Sequence, residues 1–380
     1  MKRLLLPLVA GGLMIAAQFA AAQAQGTSSY AIRKKTPPKT TAVHRPPPVD
    51  PTDGDNVDGE DLTVRRAAVA ALGTTRGSVV VADPNTGRIL TMVNQKLGLQ
   101  SGFTPCSTIK LVTSLAALNE HVVERDTVIR LNKYTSFTLT TAIAHSNNDY
   151  FATLGSRLGF DRVTHYAQLL GLGEKAGWEI PGEQPGTIAS APPKAGGMGL
   201  MTAYGEGFLV TPLELTALIS SIANGGTLYY LQYPRSDDEV FHFTPRVKRT
   251  LELDPQEFAD LRIGMRGAVD FGTATRASYA SGEPVLGKTG TCTDFNSSTH
   301  MGWFGSYNDV GNHQLVVVVM LAAVNRTVNG PVASGVAGAI YKTLSDQRYF
   351  TADGGDKRPA AFPILVSTPL SAEEIAKAKK

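Results

Sequence analysis

The chain has 380 residues, which is enough for one large domain or two small ones. Hydrophobic residues make up 42% of it and charged residues 18%, as in soluble globular proteins with a sizeable core. The formal net charge of +3 is too small to indicate nucleic-acid binding, and the sequence has no basic patch interleaved with aromatic residues.

The first residues have the pattern of a secretory signal peptide. Lys2 and Arg3 precede an uncharged run rich in Leu, Ala and Gly, and Ala22-Gln23-Ala24 follows as a cleavage signal. The alternative is a retained membrane anchor, since no charge appears until Arg33. Either interpretation of residues 1–25 predicts an exported protein, periplasmic or attached through its N-terminus to the outer face of the cytoplasmic membrane.

Residues 26–61 have the composition of a linker. Repeated prolines favour extended, unpacked backbone in its first part, and a run of acidic residues fills the second. Asp53, Asp55 and Asp58 lack the spacing of a calcium-binding EF-hand loop, so we expect this acidic run to be solvated. At the other end of the chain, residues 351–380 are polar, and we expect a loose tail.

The segment between them, residues 62–350, is predicted to form one domain that is rich in strands at both ends. Apolar runs bounded by turn residues predict strands at 78–83, 88–93, 285–292, 301–307 and 314–323. Apolar residues at helical spacing predict helices at 107–119, 149–158, 162–170, 212–223 and 331–345. We therefore predict an α+β fold: an antiparallel sheet of about five strands, flanked by helices, with an inserted, mostly helical lobe.

The first of three short motifs is Ser107-Thr108-Ile109-Lys110, at the start of a predicted helix. Residues three apart share one face of a helix, so the Lys110 amine can lie beside the Ser107 hydroxyl. A serine hydroxyl needs a base to become a good nucleophile, and an amine serves at neutral pH only when burial or a neighbouring cation lowers its pKa. On its own, this motif more often marks a helix-capping serine with a surface lysine.

The second motif is Ser146-Asn147-Asn148, directly after a predicted short helical run. The Ser146 hydroxyl can relay a proton between Lys110 and a leaving group, and the Asn148 amide can hold a peptide group of a substrate. On its own, this motif is typical of a polar loop between helices.

The third motif is Lys288-Thr289-Gly290-Thr291, inside a predicted strand. Alternation places Thr289 and Thr291 on one face of the strand and Lys288 on the other. Gly290 has no side chain, so a ligand can approach the backbone closely. Two hydroxyls and a nearby ammonium are suited to binding a carboxylate.

Together and in this order, the three motifs resemble the catalytic set of penicillin-binding proteins and class A β-lactamases. The chain is most similar to the transpeptidase domain of class B penicillin-binding proteins, over nearly all of residues 76–345. The similarity also rests on the opening hairpin 77–90 and on the segments 146–151, 180–183, 205–207, 223–226 and 302–305.

The resemblance implies a serine acyl-transferase. Ser107 would attack a D-alanyl-D-alanine carbonyl in a peptidoglycan stem peptide, with Lys110 as the base and Ser146 as the proton relay. The acyl group would then pass to an amine of a second stem peptide, and β-lactams would acylate the same serine. No cofactor is expected, and neither the 7 histidines nor the 2 cysteines have metal-binding spacing.

The resemblance also implies the binding contacts. Asn148 would hold the substrate backbone, and Lys288, Thr289 and Thr291 would bind its terminal carboxylate, with Gly290 allowing the close approach. Backbone N–H groups of Ser107 and Thr291 would form the oxyanion hole, in which one donor is typically worth ~3 kcal/mol.

The two cysteines flank this expected site. Cys106 directly precedes Ser107, and Cys292 directly follows Thr291. Some class A carbapenemases, which this pair resembles, have a disulfide at the corresponding places, and export favours oxidation. A Cys106–Cys292 disulfide between the nucleophile helix and the substrate-binding strand is therefore our hypothesis, and two buried free thiols are the alternative.

Three other functions are compatible with the same fold. A β-lactamase is one, although the chain has no Glu-x-x-Leu-Asn segment of class A and has Ser146-Asn147-Asn148 where class D enzymes have Ser-x-Val. A D,D-carboxypeptidase differs only in using water as the acceptor, for which the sequence offers no short motif. A non-enzymatic β-lactam sensor module is disfavoured, since no signalling portion is visible.

Overall fold

The computed structural model describes residues 50–294, 297–310, 313–324 and 327–350. The predicted signal peptide or anchor, most of the predicted linker and the predicted C-terminal tail lie outside these residues. Within the described part of the chain, the search for a helix long and apolar enough to cross a membrane finds none.

The described helices include both long packed helices and single turns. The α-helices are α1 (Leu62–Leu72), α2 (Gln95–Gly98), α3 (Lys110–Asn119), α4 (Leu139–Ala144), α5 (Asn148–Leu158), α6 (Phe160–Leu169), α7 (Gly197–Tyr204), α8 (Pro212–Asn224), α9 (Asp237–Phe241), α10 (Pro255–Asp270) and α11 (Gly330–Asp346). Two 3₁₀ helices span Cys106–Ile109 and Thr275–Ala277.

The described strands fall into one large sheet and three small pairs. They are β1 (Gly77–Ala82), β2 (Ile89–Val93), β3 (Ile129–Arg130), β4 (Ser136–Phe137), β5 (Thr187–Ile188), β6 (Phe208–Leu209), β7 (Thr227–Tyr229), β8 (Val247–Thr250), β9 (Val285–Thr293), β10 (His300–Asn308) and β11 (Val316–Ala323).

The large sheet has five antiparallel strands in the order β2-β1-β11-β10-β9. Strands from the two ends of the domain meet at its centre, where Val79 pairs with Val319 and Val81 with Val317. These valines are fully buried, and β-branched side chains suit a strand that is covered on both faces. The predicted α+β fold, with helices inserted between the strands of one sheet, is confirmed.

Alternate residues of β11 enter two different cores. Val317, Val319 and Leu321 pack on one face of the sheet, in a core that includes Ile340 and Tyr341 of α11. Val316, Val318 and Met320 pack on the other face, in the core of the helical lobe with α3, α5, α8 and α10. The strand β9 forms one edge of the sheet, so one row of its backbone groups has no strand partner.

The prediction of a solvated linker up to residue 61 is wrong for two of its acidic residues. The Asp55 and Glu60 side chains are 1% and 0% exposed, and both carboxylates lie 2.9 Å from the Arg65 guanidinium. Asp55 also accepts the backbone N–H of Gln95 at 2.8 Å, and Glu60 accepts that of Met92 at 2.9 Å. Buried carboxylates are stable here because a nearby cation, Arg65, and backbone donors from a distant part of the chain satisfy them.

Candidate active site

Ser107 lies in the 3₁₀ helix Cys106–Ile109, which leads directly into α3. It is 9% exposed, and its hydroxyl donates a hydrogen bond to the Ala203 carbonyl oxygen at 3.4 Å. The described residues include no hydrogen bond between the Ser107 hydroxyl and Lys110. The preceding residue, Cys106, has a φ of +53°, in the left-handed region that non-glycine residues rarely adopt. Such strain persists only where surrounding contacts hold the backbone in place.

Three links fasten the segment before Ser107 to β9 and β10. A disulfide joins Cys106 to Cys292, with 5.5 Å between their Cα atoms. The Trp303 indole N–H donates to the Thr104 carbonyl oxygen at 3.0 Å, and the Thr104 hydroxyl donates to the Asp294 carboxylate at 2.8 Å. The pairing implied by the resemblance is thus present in the structure, and it is one of several constraints on the same segment.

Gly290 allows the close packing of β9 against this segment. A Cβ atom at Gly290 would lie 2.9 Å from the Pro105 carbonyl oxygen and 3.1 Å from Cβ of Trp303. Any side chain would therefore push the strand away from the nucleophile helix. The absence of a side chain at Gly290 thus allows the contact between these two protein segments.

The Lys110 side chain is fully buried, and its amine is at the centre of a hydrogen-bonded cluster. Nζ donates to the Ser146 carbonyl oxygen at 2.7 Å and to Asn148 Oδ1 at 2.7 Å, and it lies 3.1 Å from Ser146 Oγ. The Phe151 ring covers one side, with its centroid 5.4 Å from Nζ. Residues of the first two motifs are therefore in direct contact.

The loop between α4 and α5 presents Ser146 and Asn148 to this cluster. The Asn147 side chain caps α5 by accepting the backbone N–H of Tyr150 at 2.8 Å. Ser146 has a φ of +54°, so the chain reverses sharply between the two helices. Asn147, the middle residue of the motif, thus stabilises the turn, while Ser146 and Asn148 contact Lys110.

Lys288 joins the cluster from β9. Its Nζ donates to Ser146 Oγ at 2.8 Å and to the Thr289 carbonyl oxygen at 2.9 Å, and its side chain is fully buried. The Ser146 hydroxyl therefore lies between two lysine amines, with Nζ of Lys110 on its other side. One residue from each of the three motifs contributes to this arrangement.

Burial lowers the pKa of both amines, because a charged amine loses its hydration inside the protein. The pKa of Lys110 falls to about 6, through burial first and through the neighbouring charge of Lys288 second. Burial lowers the pKa of Lys288 to about 7. At neutral pH the Lys110 amine is thus predominantly uncharged, which is the form that accepts a proton.

The two threonines of the third motif share a face of β9, opposite to Lys288. Thr289 is 4% exposed, and its hydroxyl shares a 2.6 Å hydrogen bond with the Thr273 hydroxyl. Thr291 is exposed, and its Oγ1 accepts the backbone N–H of Gly330 at 2.7 Å. The structure thus places Thr291 at the protein surface and Thr289 beneath it.

Tyr204 is a residue of the site that the sequence motifs miss. It ends α7, and its hydroxyl accepts a hydrogen bond from Asn148 Nδ2 at 2.8 Å. The neighbouring Ala203 supplies the carbonyl group that binds Ser107. The one available signal was its position directly before the Gly205-Glu206-Gly207 segment, which does not reveal a contact with Asn148.

The family comparison agrees with this geometry. The family model for the penicillin-binding protein transpeptidase domain matches residues 77–344, which is well over half of the chain. The chain belongs to the penicillin-binding protein transpeptidase family. The match begins at β1 and ends in α11, so it includes the whole sheet and the helical lobe.

Individual relatives of this transpeptidase domain are distant. Stage V sporulation protein D of Bacillus subtilis is 28% identical over 279 residues, covering 66% of this chain and 43% of that protein. The peptidoglycan D,D-transpeptidase MrdA of Haemophilus influenzae is 22% identical over 351 residues, covering 69% of this chain and 52% of that protein. The chain thus spans about half the length of either relative.

A solved structure has the same fold as this transpeptidase domain. The D,D-transpeptidase domain of a peptidoglycan glycosyltransferase from Eggerthella lenta superposes with a TM-score of 0.62. The two are 23% identical, and the match covers 76% of this chain and 82% of that one.

The cluster in this transpeptidase domain consists of a serine, buried amines, a second hydroxyl and an amide. Among the described residues, no group of three or more His, Cys, Asp or Glu side chains is placed to hold a metal ion. The arrangement provides a hydroxyl, an uncharged amine and a hydroxyl bridge to a second amine. These are groups that can move protons during acyl transfer.

Proposed function

We propose that the protein is an exported serine D,D-transpeptidase, which crosslinks D-alanyl-D-alanine stem peptides of peptidoglycan through an acyl-enzyme at Ser107. The observation that carries the proposal is the buried cluster of Lys110, Ser146, Asn148 and Lys288, with Ser107 in the turn directly before Lys110, in a transpeptidase fold. Relatives named as peptidoglycan D,D-transpeptidases support the same reaction.

Acylation begins when the Ser107 hydroxyl turns from Ala203 toward Lys110. Its oxygen attacks the carbonyl carbon of the penultimate D-alanine, and its proton passes to the uncharged Lys110 amine. The new ester bond forms as the peptide C–N bond breaks. Lys110 then returns the proton through the Ser146 hydroxyl to the departing D-alanine amine, so that the lysine ends the step uncharged.

The terminal carboxylate of the substrate binds at β9. Thr291 is exposed, and because its oxygen accepts the Gly330 N–H, its own hydroxyl proton is available for a carboxylate oxygen. Lys288 is the nearby cation, and an anionic ligand raises the pKa of a neighbouring lysine and so favours its charged form. Thr289 contributes through the carbonyl oxygen that fixes the Lys288 amine, and less through its buried hydroxyl.

The oxyanion hole consists of the backbone N–H groups of Ser107 and Thr291. The disulfide between their neighbours keeps the two segments 5.5 Å apart at the Cα atoms of Cys106 and Cys292. Two donors from different elements must be held at a fixed separation if they are to bind one oxygen, and their preorganisation lowers the barrier. In the second half of the reaction, an amine of another stem peptide attacks the ester carbonyl. The new C–N bond forms as the Ser107 ester C–O bond breaks, and the amine's proton passes through Lys110 to the departing Ser107 oxygen. A β-lactam acylates Ser107 by the same first step.

We further propose that residues 1–25 direct export, either as a cleaved signal or as a retained anchor. A disulfide persists in oxidising compartments such as the periplasm, which supports this placement. Fusing residues 1–61 to a reporter enzyme that is active only after export tests it, since the unfused reporter should stay inactive.

The decisive experiment uses purified protein and labelled pentapeptide stem peptides, separated by mass into crosslinked, trimmed and unchanged products. Crosslinked product from the wild type and none from Ser107→Ala is the expected result. Trimmed product alone would instead identify a carboxypeptidase. A penicillin adduct that is lost within seconds would identify a β-lactamase, whereas a transpeptidase keeps it for many minutes.

A further inference from the structure

The Asn148 amide connects Lys110 to a tyrosine that none of the three motifs contains. Its Oδ1 accepts from Lys110 Nζ at 2.7 Å, and its Nδ2 donates to the Tyr204 hydroxyl at 2.8 Å. The amide is thus held at both ends, and the lysine contacts the oxygen end. In this orientation Oδ1 accepts an N–H group of Lys110, and Nδ2 has the Tyr204 oxygen as its acceptor.

The orientation of the Asn148 amide determines where the lone pair of the Lys110 amine points. An uncharged amine has two N–H groups and one lone pair. The Ser146 carbonyl oxygen and Asn148 Oδ1, each 2.7 Å away, can only accept, so they take both N–H groups. The lone pair is then left for the third neighbour, the Ser146 hydroxyl at 3.1 Å, or for the Ser107 hydroxyl when it turns inward.

Turning the amide over would remove this lone pair from the serines. Nδ2 would then face Lys110 and donate to its lone pair, and the amine would have an N–H group directed at the hydroxyls instead. A base in that state accepts no proton from Ser107. The catalytic competence of Lys110 therefore depends on how the Asn148 amide is held.

Packing fixes Tyr204 relative to Asn148. Helices α5 and α7 touch so closely that a Cβ atom on Gly155 would lie 2.2 Å from the Thr202 hydroxyl oxygen. That hydroxyl donates to the Phe151 carbonyl oxygen at 2.9 Å. At the end of α7, Thr202 thus binds α5, Ala203 binds Ser107 and Tyr204 binds Asn148. The same end of the helix therefore positions both the Ser107 hydroxyl and the Asn148 amide.

We propose that Tyr204 is a positioning residue, which anchors the Asn148 amide and thereby directs the lone pair of the Lys110 amine toward the serine hydroxyls. The inference rests on the proposed function of the site. It concerns the efficiency of the base and leaves the identity of the nucleophile and the substrate class unchanged.

The test is Tyr204→Phe, which removes one oxygen atom. Tyr307→Phe is the matched control, because Tyr307 is buried on β10 and its hydroxyl has no hydrogen-bond partner among the described residues. The rate constant of acylation by a fluorescent penicillin is measured from pH 4.5 to 9 for each protein, together with its melting temperature.

We expect Tyr204→Phe to lower the plateau of the acylation rate by about tenfold or more, the scale of one lost positioning hydrogen bond. The acid limb of the profile should also move to lower pH. A loosened amide oxygen stabilises the protonated Lys110 less, and its pKa falls further. Lys288 on β9 is the charged neighbour of Lys110, and it is unchanged in the variant. Tyr307→Phe should give the wild-type profile.

A second measurement separates positioning from stability. If Tyr204 acts through Asn148, Tyr204→Phe should have no further effect on acylation in an Asn148→Ala background. A plateau that is unchanged, a lowered plateau with an unmoved acid limb, or equal losses in both backgrounds would each overturn the inference. A wild-type protein that penicillin does not acylate would instead refute the proposed function, and with it the inference that depends on it.

Discussion

Breaking the disulfide between Cys106 and Cys292 should weaken both the fold and the site. The two residues are 186 positions apart, so the bond closes a long loop, for which chain entropy gives an upper value of about 5 kcal/mol in the free energy of unfolding. Measured values are typically about 2–4 kcal/mol. For a domain of about 290 residues, that range corresponds to a melting temperature lower by roughly 3–7 °C.

The assay compares the wild type with Cys106→Ser/Cys292→Ser, each melted with and without dithiothreitol. The chain has only these 2 cysteines, so reductant can act on no other bond. Dithiothreitol should lower the melting temperature of the wild type to that of the variant and leave the variant unchanged. Acylation by penicillin should slow about tenfold or more but persist, since Trp303 and Asp294 still hold Thr104. A wild-type melting curve that reductant does not change would refute the reasoning.

The remaining predictions concern buried titratable groups. Lys110→Met should reduce the rate of acylation about 10²–10⁴-fold without lowering the melting temperature. The wild-type rate should fall as the pH drops through about 6, where Lys110 becomes protonated. A wild-type rate that does not depend on pH would contradict the role of Lys110 as the base. The pKa values of Lys110 and Lys288 are about 6 and 7 in the folded protein, against the ordinary lysine value of 10.5. Between pH 7 and 10, the two lysines therefore bind more protons in the unfolded chain than in the folded protein. The free energy of unfolding in urea should therefore rise from pH 7 to 10, and Lys288→Met should flatten that slope; an equally steep slope in the variant would exclude Lys288 as a source. Glu214, whose pKa burial raises to about 7, accepts the backbone N–H groups of Gly173 at 2.9 Å and Gly186 at 3.0 Å. Both N–H groups bind Oε1, and the other oxygen, Oε2, accepts the Thr211 N–H at 2.7 Å. Glu214→Gln should cost about 1–3 kcal/mol in urea unfolding at pH 8, because the amide N–H₂ group replaces one of these two acceptor oxygens; unchanged stability would show that the lost bond contributes little.

Much of the fold could be predicted because its signals are local. Valine runs such as 79–81 and 316–319 favour strands that are buried on both faces, and the five predicted strands are the five strands of the sheet. The helices of the lobe follow from apolar spacing and caps, as in α8, where Thr211 and Glu214 form a capping box. That one sheet combines strands from both ends of the domain followed from where the strand signals lie along the chain.

The site could be predicted as far as its motifs extend. Ser146 and Lys288 contact each other across 142 positions, which no local pattern reveals, and the family resemblance supplied that juxtaposition. The contact of Tyr204 with Asn148 has no motif of its own, because it depends on how closely α5 and α7 pack. The pairing of Thr289 with Thr273 depends in the same way on the position of the segment after α10.

The error at Asp55 and Glu60 has a related cause. An acidic run with prolines before it has the composition of a solvated linker, and composition carries no information about distant partners. Arg65 lies on the buried face of α1, and with the backbone N–H groups around β2 it compensates both carboxylates. Acidic residues are therefore a poor guide to exposure when a cation and backbone donors are available within the fold.

The measurement that bears most directly on the role of Ser107 is the site of β-lactam attachment. Purified protein is incubated with penicillin, digested without hydrolysing the ester, and its peptides are sequenced by mass spectrometry. We predict a single adduct on Ser107, and no adduct in Ser107→Ala, although that variant keeps the wild-type melting temperature. An adduct on a different side chain, or one that persists in Ser107→Ala, would contradict the central claim.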